Sequence, residues 1–422
     1  MPPVPGAHPG GQHRHAAPVH GPAEPAAGGR AGPGPPGRRL LAGRTGRAHR
    51  AGPAGRRAGP MTVPDTDERA TTTDEPSARR AQTGADAAWP ELMRLVFGGM
   101  ASRLVGYCVR LGLPDAIGDD ERTPQELALR YDARADTMFR VLRALAALRV
   151  LTETTPGRFA LAPMGALLRG DRPGTLRPLA RMLTDPAMTT AWDGLAHSVR
   201  TGEPAFDGIF GTDFFSYVGG RPDLSELYNA AMSQVTHSVA AAVAERTDLA
   251  GVRTVVDVGG GDGTLLAAVL AANPGVRGVL YDSASGSAEA AGNLRRAGVG
   301  DRCRIEVGDF FERVPADADL YLLKSVIHGW GDGRATGILR HCAEAVAPGG
   351  RIVMIDHVLP DVVGPAANAL AYLTDVGMLV NGQGLERTRG DLERLCGKAG
   401  LSLEDVTPLP PTDFHWIESR PA

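Results

Sequence analysis

One stretch constrains this chain more than any other. From Thr254 to Thr264 the order Thr-Val-Val-Asp-Val-Gly-Gly-Gly-Asp-Gly-Thr carries an apolar strand through a glycine turn into the apolar helical run 265–270. Strand, tight turn and helix in this order belong to open α/β sheets, which bind small molecules at the carboxyl ends of their strands. Glycine suits the turn because a Cβ would block both the bend and the approach of a ligand to the backbone. Dinucleotide folds space their glycines G-x-G-x-x-G to seat a pyrophosphate on a helix N-terminus. Here the glycines fall at 259, 260, 261 and 263, with Asp262 among them. That carboxylate repels phosphate and suits a cation, such as a ligand carrying an amino group or a sulfonium.

Two acidic strand ends downstream narrow the ligand. The run from Gly278 to Asp282 ends in a carboxylate placed to accept hydrogen bonds from ribose hydroxyls. The run from Arg304 to Phe310 puts Asp309 beside an aromatic ring, an acceptor for an adenine amino group with Phe310 packing on the base. In this order the three signals resemble the class I S-adenosylmethionine-dependent methyltransferases. The resemblance implies a Rossmann-like, seven-stranded α/β methyltransferase domain that holds S-adenosylmethionine through Gly259, Gly261, Asp282, Asp309 and Phe310.

A length of 422 residues suffices for two or three domains, each with its own core. With 43% apolar and 22% charged residues and a net charge of -3, no global field points to nucleic acid or to a membrane. The chain holds no run of 18 apolar residues, which argues against a spanning helix. Cys108, Cys303, Cys342 and Cys396 are scattered without a C-x-x-C pair. That pattern fits reduced thiols in the cytoplasm and argues against a disulfide frame or a zinc site, so no metal is expected.

Residues 1–60 carry 12 Pro, 14 Gly and nine Arg against a single acidic residue, Glu24. Such a segment buries too little apolar surface to offset its ordering entropy, and disorder is expected over 1–85, with Met61 the working start. The prolines forbid the amphipathic helix of a presequence. Between about Leu92 and Leu167 the pattern turns helical. Thr123-Pro124-Gln125-Glu126 supplies an N-cap, a first-position proline and a capping-box Glu. Met138, Val141, Leu142, Leu145 and Leu148 follow at helical spacing, and residues 150–161 read as a two-stranded wing. Helix, turn, helix and wing over 86–190 outline a winged-helix unit. A DNA-binding regulator is therefore a rival reading, with Arg134, Arg140, Arg143 and Arg149 as its phosphate-contacting face. The cofactor-like turn that follows weighs against it.

The strand from Asp319 to Lys324 is followed at once by Ser-Val-Ile-His328-Gly-Trp330-Gly-Asp332. A histidine just past a strand end faces the same crevice as the glycine turn, where a general base for an acceptor hydroxyl would stand. A phenol with a pKa of about 10 is a weak nucleophile at neutral pH, whereas imidazole titrates near ~6.5 and can take its proton. Lone histidines are mostly structural, and His197, His237, His341, His357 and His415 receive no role on that ground. His328 differs through its neighbours: the run Lys324, His328, Trp330, Asp332 is similar to that of the plant caffeic-acid and acetylserotonin type O-methyltransferases. In that family the His is the base and the Lys contacts the cofactor.

The same resemblance extends over about residues 90–418. Asp356 ends a fifth strand where the family usually has Glu, and the run from Asn381 to Thr388 matches its Asn-x-x-Gly-x-Glu-Arg-Thr segment. It implies that Asp356 and Glu386 orient His328. It further implies that Trp192, Phe215, Tyr228, Met232, Met378 and Asn381 wall the pocket of a small aromatic acceptor, and that residues 86–190 form a dimerisation domain ahead of linker helices and the catalytic domain over 191–422. A homodimer follows from the resemblance alone. Three positions depart from the family: Gly329 replaces an Asp, Asp356 is one methylene shorter than Glu, and Ser283-Ala284 replaces Leu-Pro beside Asp282. The leading expectation is methyl transfer from S-adenosylmethionine to a phenolic hydroxyl of a secondary metabolite. Transfer to nitrogen, or a relative that binds the cofactor without transferring methyl, stays open.

Overall fold

The computed structural model describes residues 88–246, 249–365 and 367–422, so the expectations for the N-terminal extension and for Met61 fall outside it. A helix α1 (Ala88–Val96) meets α2 (Gly98–Leu111) at 48°. After them, Thr123 accepts from the Glu126 amide and Glu126 caps back onto the Thr123 amide, which opens α3 (Pro124–Arg130) as the sequence predicts. On α4 (Ala135–Ala147), Met138, Leu142 and Leu145 are buried one turn apart. The wing forms from β1 (Leu151–Thr155) and β2 (Arg158–Leu161), paired antiparallel. Of the arginines considered as a phosphate-contacting face, Arg134 is forked onto Asp136, and Arg143 lies over Phe139.

A run of helices leads to α5 (Pro222–Arg246), which packs on α6 (Thr264–Ala272). The parallel part of the main sheet comprises β3 (Thr254–Val258), β4 (Arg277–Asp282), β5 (Cys303–Val307), β6 (Ala318–Lys324) and β7 (Val346–Asp356). Its central strands read as near-continuous apolar runs because both faces are covered. Val255, Leu280, Leu320, Leu322, Val353 and Ile355 point to one core with α5 and α6. Their strand neighbours Val256, Val258, Tyr321, Leu323, Ile352 and Met354 point to the other, with α7 (Asp332–Ala345) and α9 (Arg389–Lys398).

The sheet is closed by β10 (Leu401–Pro408) and β11 (His415–Pro421), an antiparallel hairpin whose second strand adds antiparallel to β7. The order is β10-β11-β7-β6-β3-β4-β5, the seven-stranded α/β architecture expected from the sequence. Leaving β3, the chain builds outward to β4 and β5, then returns to the other flank with β6. The switch point therefore lies between β3 and β6, and the crevice there is where such sheets place ligands. A second feature lies above β7: β8 (Val358–Leu359) pairs parallel with β9 (Arg387–Thr388). That two-residue bridge brings the end of β7 beside the segment that follows α8 (Ala369–Asn381).

Candidate active site

A cavity of about 620 Å³ opens at the switch point, and the glycine turn forms its floor. Gly259 has φ +69°, and a Cβ there would stand 2.7 Å from Val326 Cγ2. At Gly260 a Cβ would meet the Asp257 carboxyl at 2.9 Å. The bare backbone is thus a steric requirement at both positions. Gly261 N donates to Asp282 Oδ2 at 2.8 Å, so the turn after β3 and the acid ending β4 are fixed to each other. Ser283, one of the departures, donates its amide (2.6 Å) and hydroxyl (3.1 Å) to Asp282 Oδ1, which replaces packing by hydrogen bonds at that edge.

The cradle is acidic. Asp257 is 1% exposed with Oδ2 unpartnered, and burial, then the charge of Asp282, pushes its carboxyl up to about 7. Facing these acids is Lys324, the last residue of β6, whose burial pulls its amine down to about 8 against the opposing charges of Asp356, Asp257 and Asp262. Asp309 and Phe310 lie across the turn. Asp309 Oδ1 accepts from Phe311 N at 2.8 Å, and Phe310 packs edge-on to Phe311 and Trp330. All six residues assigned to the cofactor from the sequence line this one cavity. Glycines that a Cβ would block, an unpartnered buried carboxylate and an aromatic clamp suit a ligand with a cationic end and a planar base, and so fit S-adenosylmethionine.

Beyond Lys324 the chain turns through Ser325, at φ +54°, into a short 3-10 turn, Ile327–Gly329, that carries His328. Three contacts hold it. Leu385 N donates to His328 O at 2.8 Å, and Gly384 packs so close that a Cβ would stand 2.4 Å from that same oxygen. Arg387, 3% exposed, donates to Ile327 O (3.0 Å), Trp330 O (2.8 Å) and Asp332 Oδ1 (3.0 Å).

The segment that grips the loop also delivers Glu386. Its Oε1 lies 3.1 Å from His328 Nδ1, and its side chain is wholly buried. Asp356 Oδ1 is 3.9 Å from the same nitrogen, past hydrogen-bond range, as expected of an acid one methylene short. Burial alone would lower the affinity of His328 for a proton. The charge of Asp356, with the hydrogen bond and charge of Glu386, outweighs it and raises the imidazole above its usual 6.5. Burial likewise works to raise Glu386, but hydrogen bonds from His328 and His357 hold it at about 2, while burial pushes Asp356 up to about 6. Glu386 is therefore the more readily ionised acid of the pair.

His357, which received no role from the sequence, also reaches Glu386. Its Nδ1 lies 3.3 Å from the same Glu386 Oε1, and its ring lies against Phe414 with centroids 4.3 Å apart. No local pattern marks it; the β8·β9 pairing brings it there. Among the described residues, His328, His357 and Glu386 place possible metal-ligand atoms within 4.8 Å of one another. Both nitrogens, however, address one carboxylate oxygen at hydrogen-bond distance, so the cluster reads as two donors on one acceptor.

Of the residues assigned to the acceptor pocket, Phe215, Tyr228 and Met232 line the cavity, and Phe215 is tilted on Trp330 with centroids 4.9 Å apart. Trp192, Met378 and Asn381 lie outside that lining: Trp192 approaches Gly377 on α8, and Asn381, buried, donates to Gly377 O with Oδ1 unpartnered. Helix α8 is largely apolar, and its spacing alone does not tell a pocket wall from a packing face.

Comparison with known proteins places this geometry. An O-methyltransferase domain family matches residues 192–402, and an O-methyltransferase dimerisation domain family matches residues 93–171. The chain is 44% identical to an O-demethylpuromycin-O-methyltransferase of Streptomyces alboniger, over 82% of this chain and 92% of that one. The solved mitomycin 7-O-methyltransferase MmcR is 37% identical with a TM-score of 0.75, covering 81% of this chain and all of that one. NcsB1, an O-methyltransferase from neocarzinostatin biosynthesis solved with S-adenosylmethionine and 2-hydroxy-5-methyl naphthoic acid, is 32% identical with a TM-score of 0.66, covering 76% and 96%.

Proposed function

The chain belongs to the O-methyltransferase family that carries its own dimerisation domain, and on that premise we propose that it methylates a phenolic hydroxyl of a small aromatic secondary metabolite with His328 as general base. It is an S-adenosylmethionine-dependent O-methyltransferase. When bound, S-adenosylmethionine supplies an electrophilic methyl on a sulfonium. The chain's residues then have two tasks, to align the acceptor and to remove its proton.

The contact between His328 Nδ1 and Glu386 Oε1 carries the reading. A carboxylate held at about 2 is ionised and only accepts, so Nδ1 bears the imidazole proton and Nε2 keeps its lone pair for the acceptor hydroxyl. As the proton arrives, the imidazolium is stabilised by the same carboxylate and by Asp356, the logic of base and orienter pairs. Phe215, Tyr228 and Met232 give the acceptor an apolar, aromatic wall, which favours a planar ring over a sugar or a peptide. Gly259, Gly261, Asp282, Asp309, Phe310 and Lys324 are assigned to the cofactor.

The test is transfer of labelled methyl from S-adenosylmethionine to a panel of phenolic metabolites. His328→Ala is expected to lower kcat by about 10²- to 10⁴-fold, the usual weight of a general base, with cofactor affinity nearly intact. Unchanged turnover in that variant would remove His328 from the mechanism.

A homodimer is part of this reading. Trp89, Leu92, Leu95, Val96, Phe97 and Met100 leave an apolar face exposed on α1 and the start of α2, the kind of patch that marks an interaction surface, and residues 93–171 match the dimerisation family. We place the boundary with the catalytic part near residue 190, in the gap between the two family matches. Among the described residues no single helix is long and apolar enough to cross a membrane. The four free thiols support a cytoplasmic setting.

A further inference from the structure

We propose that His357 is a positioning residue that tunes the base, holding Glu386 in place and drawing its charge away from His328 through a second hydrogen bond to the same oxygen. The proposal rests on the reading of His328 as the base and goes beyond it, because nothing in the sequence pattern or the family match assigns His357 a part.

Glu386 Oε1 receives both imidazoles, His328 Nδ1 at 3.1 Å and His357 Nδ1 at 3.3 Å, while Oε2 is buried without a partner. The carboxylate is shut away from water, so its charge is distributed by these two donors rather than screened. Each hydrogen bond to an anion weakens the anion as an acceptor for the next. His357 therefore makes Glu386 a poorer stabiliser of the His328 imidazolium, which holds the proton affinity of the base down. The direction is the same whether His357 donates as a neutral or a charged ring.

Geometry fixes the second imidazole. His357 directly follows Asp356 at the end of β7, the β8·β9 pairing sets it beside Glu386, and the Phe414 ring covers its face. Other charged groups face the cluster. Lys324 and Asp356 act on His328, His357 acts on Asp356 and His415, and Asp375 Oδ1 accepts from Glu386 N at 2.8 Å. Without the His357 donor, Asp356 and a less neutralised Glu386 would drive His328 upward against burial and Lys324. A base with too high a proton affinity is already protonated at neutral pH and cannot act.

Two variants of the full chain separate the roles of donor and ring. His357→Phe keeps an aromatic ring against Phe414 and removes the donor; His357→Asn keeps an N–H near the position of Nδ1 and removes the ring. His328 is followed by NMR of carbon-labelled histidine, and kcat/KM is measured against pH in parallel. In His357→Phe the proton affinity of His328 is expected to rise roughly three- to tenfold, the effect of losing one charge-assisted bond. The acid limb of kcat/KM should move to higher pH by the same factor, with activity recovering in alkali. His357→Asn should restore the limb to its original position. An unmoved His328 titration in His357→Phe overturns the proposal, as does an equal shift in both variants, which would assign the effect to ring packing. The NMR titration reads the coupling whatever the catalytic role of His328. A wrong base therefore shows separately, as turnover surviving in His328→Ala.

Discussion

In the proposed mechanism Asp356 is the residue where catalysis and stability oppose each other. Its carboxyl stands at about 6 in the fold, against about 3.9 for an unfolded chain. A carboxyl raised by folding holds its proton more tightly folded, so its charge destabilises the native state above about pH 6 and the burden is lifted as pH falls towards about 4. Asp356→Asn is therefore expected to raise the melting temperature at pH 8, by the equivalent of about 1 kcal/mol after Lys324 and His328 lose a partner, with the difference closing near pH 4. The same variant should lower the proton affinity of His328 and move the acid limb of kcat/KM to lower pH. Thermal melts at both pH values check the first part, and a fall in melting temperature at pH 8 would contradict it. Glu386 contributes with the opposite sign: held at about 2, its stabilisation is present above about pH 4 and is lost as pH falls towards 2. At this scale His328 was singled out by its place after a strand end, and Asp356 and Glu386 by resemblance to the family. His357 was not, because its role depends on a contact between residues 357 and 386 that no local pattern encodes.

Among the elements, the segment after α8 matters most. Gln383, Gly384 and Leu385 lie against the His328 loop, and Arg387 ties three of its acceptors, so one strand-like piece fixes both the His328 loop and Glu386. Gly384→Ala places a Cβ 2.4 Å from the His328 carbonyl oxygen, a backbone atom that cannot rotate away. The loop must separate from Glu386 to relieve it. The expected result is a fall in kcat of at least about 10-fold, with a loss of about 1–3 kcal/mol in unfolding free energy, the usual range for overpacking. Steady-state kinetics alongside urea unfolding reads both, and a fully active Gly384→Ala would show that this contact does not hold the base. The parallel strands and the capping box of α3 were readable as local patterns of period and punctuation. The β8·β9 bridge was not, since two residues leave no period to detect.

At the scale of the whole molecule, the apolar face of α1 and α2 is left exposed among the described residues. Side chains such as Leu95, 75% exposed, and Met100, 68% exposed, bury almost nothing in the single chain. A second copy covering that face would remove them from water at roughly 25 cal/mol per Å². The double variant Leu92→Glu with Leu95→Glu is expected to turn a dimer into a monomer in sedimentation velocity. A wild-type chain that sediments as a monomer, or a variant that stays dimeric, would move the interface elsewhere.

The sequence by itself determined the fold class, the glycine turn and the candidate base, because each is written in a short run where spacing and residue type act locally, while the acids beside that base came from the family resemblance. Tertiary structure alone decided that Glu386 serves two imidazoles, how far Asp356 stands from His328, and that Phe215, Tyr228 and Met232 line the cavity of the glycine turn, with Trp192, Met378 and Asn381, like His328 itself, outside that lining. Distances between residues far apart in the chain depend on how whole elements pack. A methylene or a two-residue strand changes them without altering any pattern along the sequence.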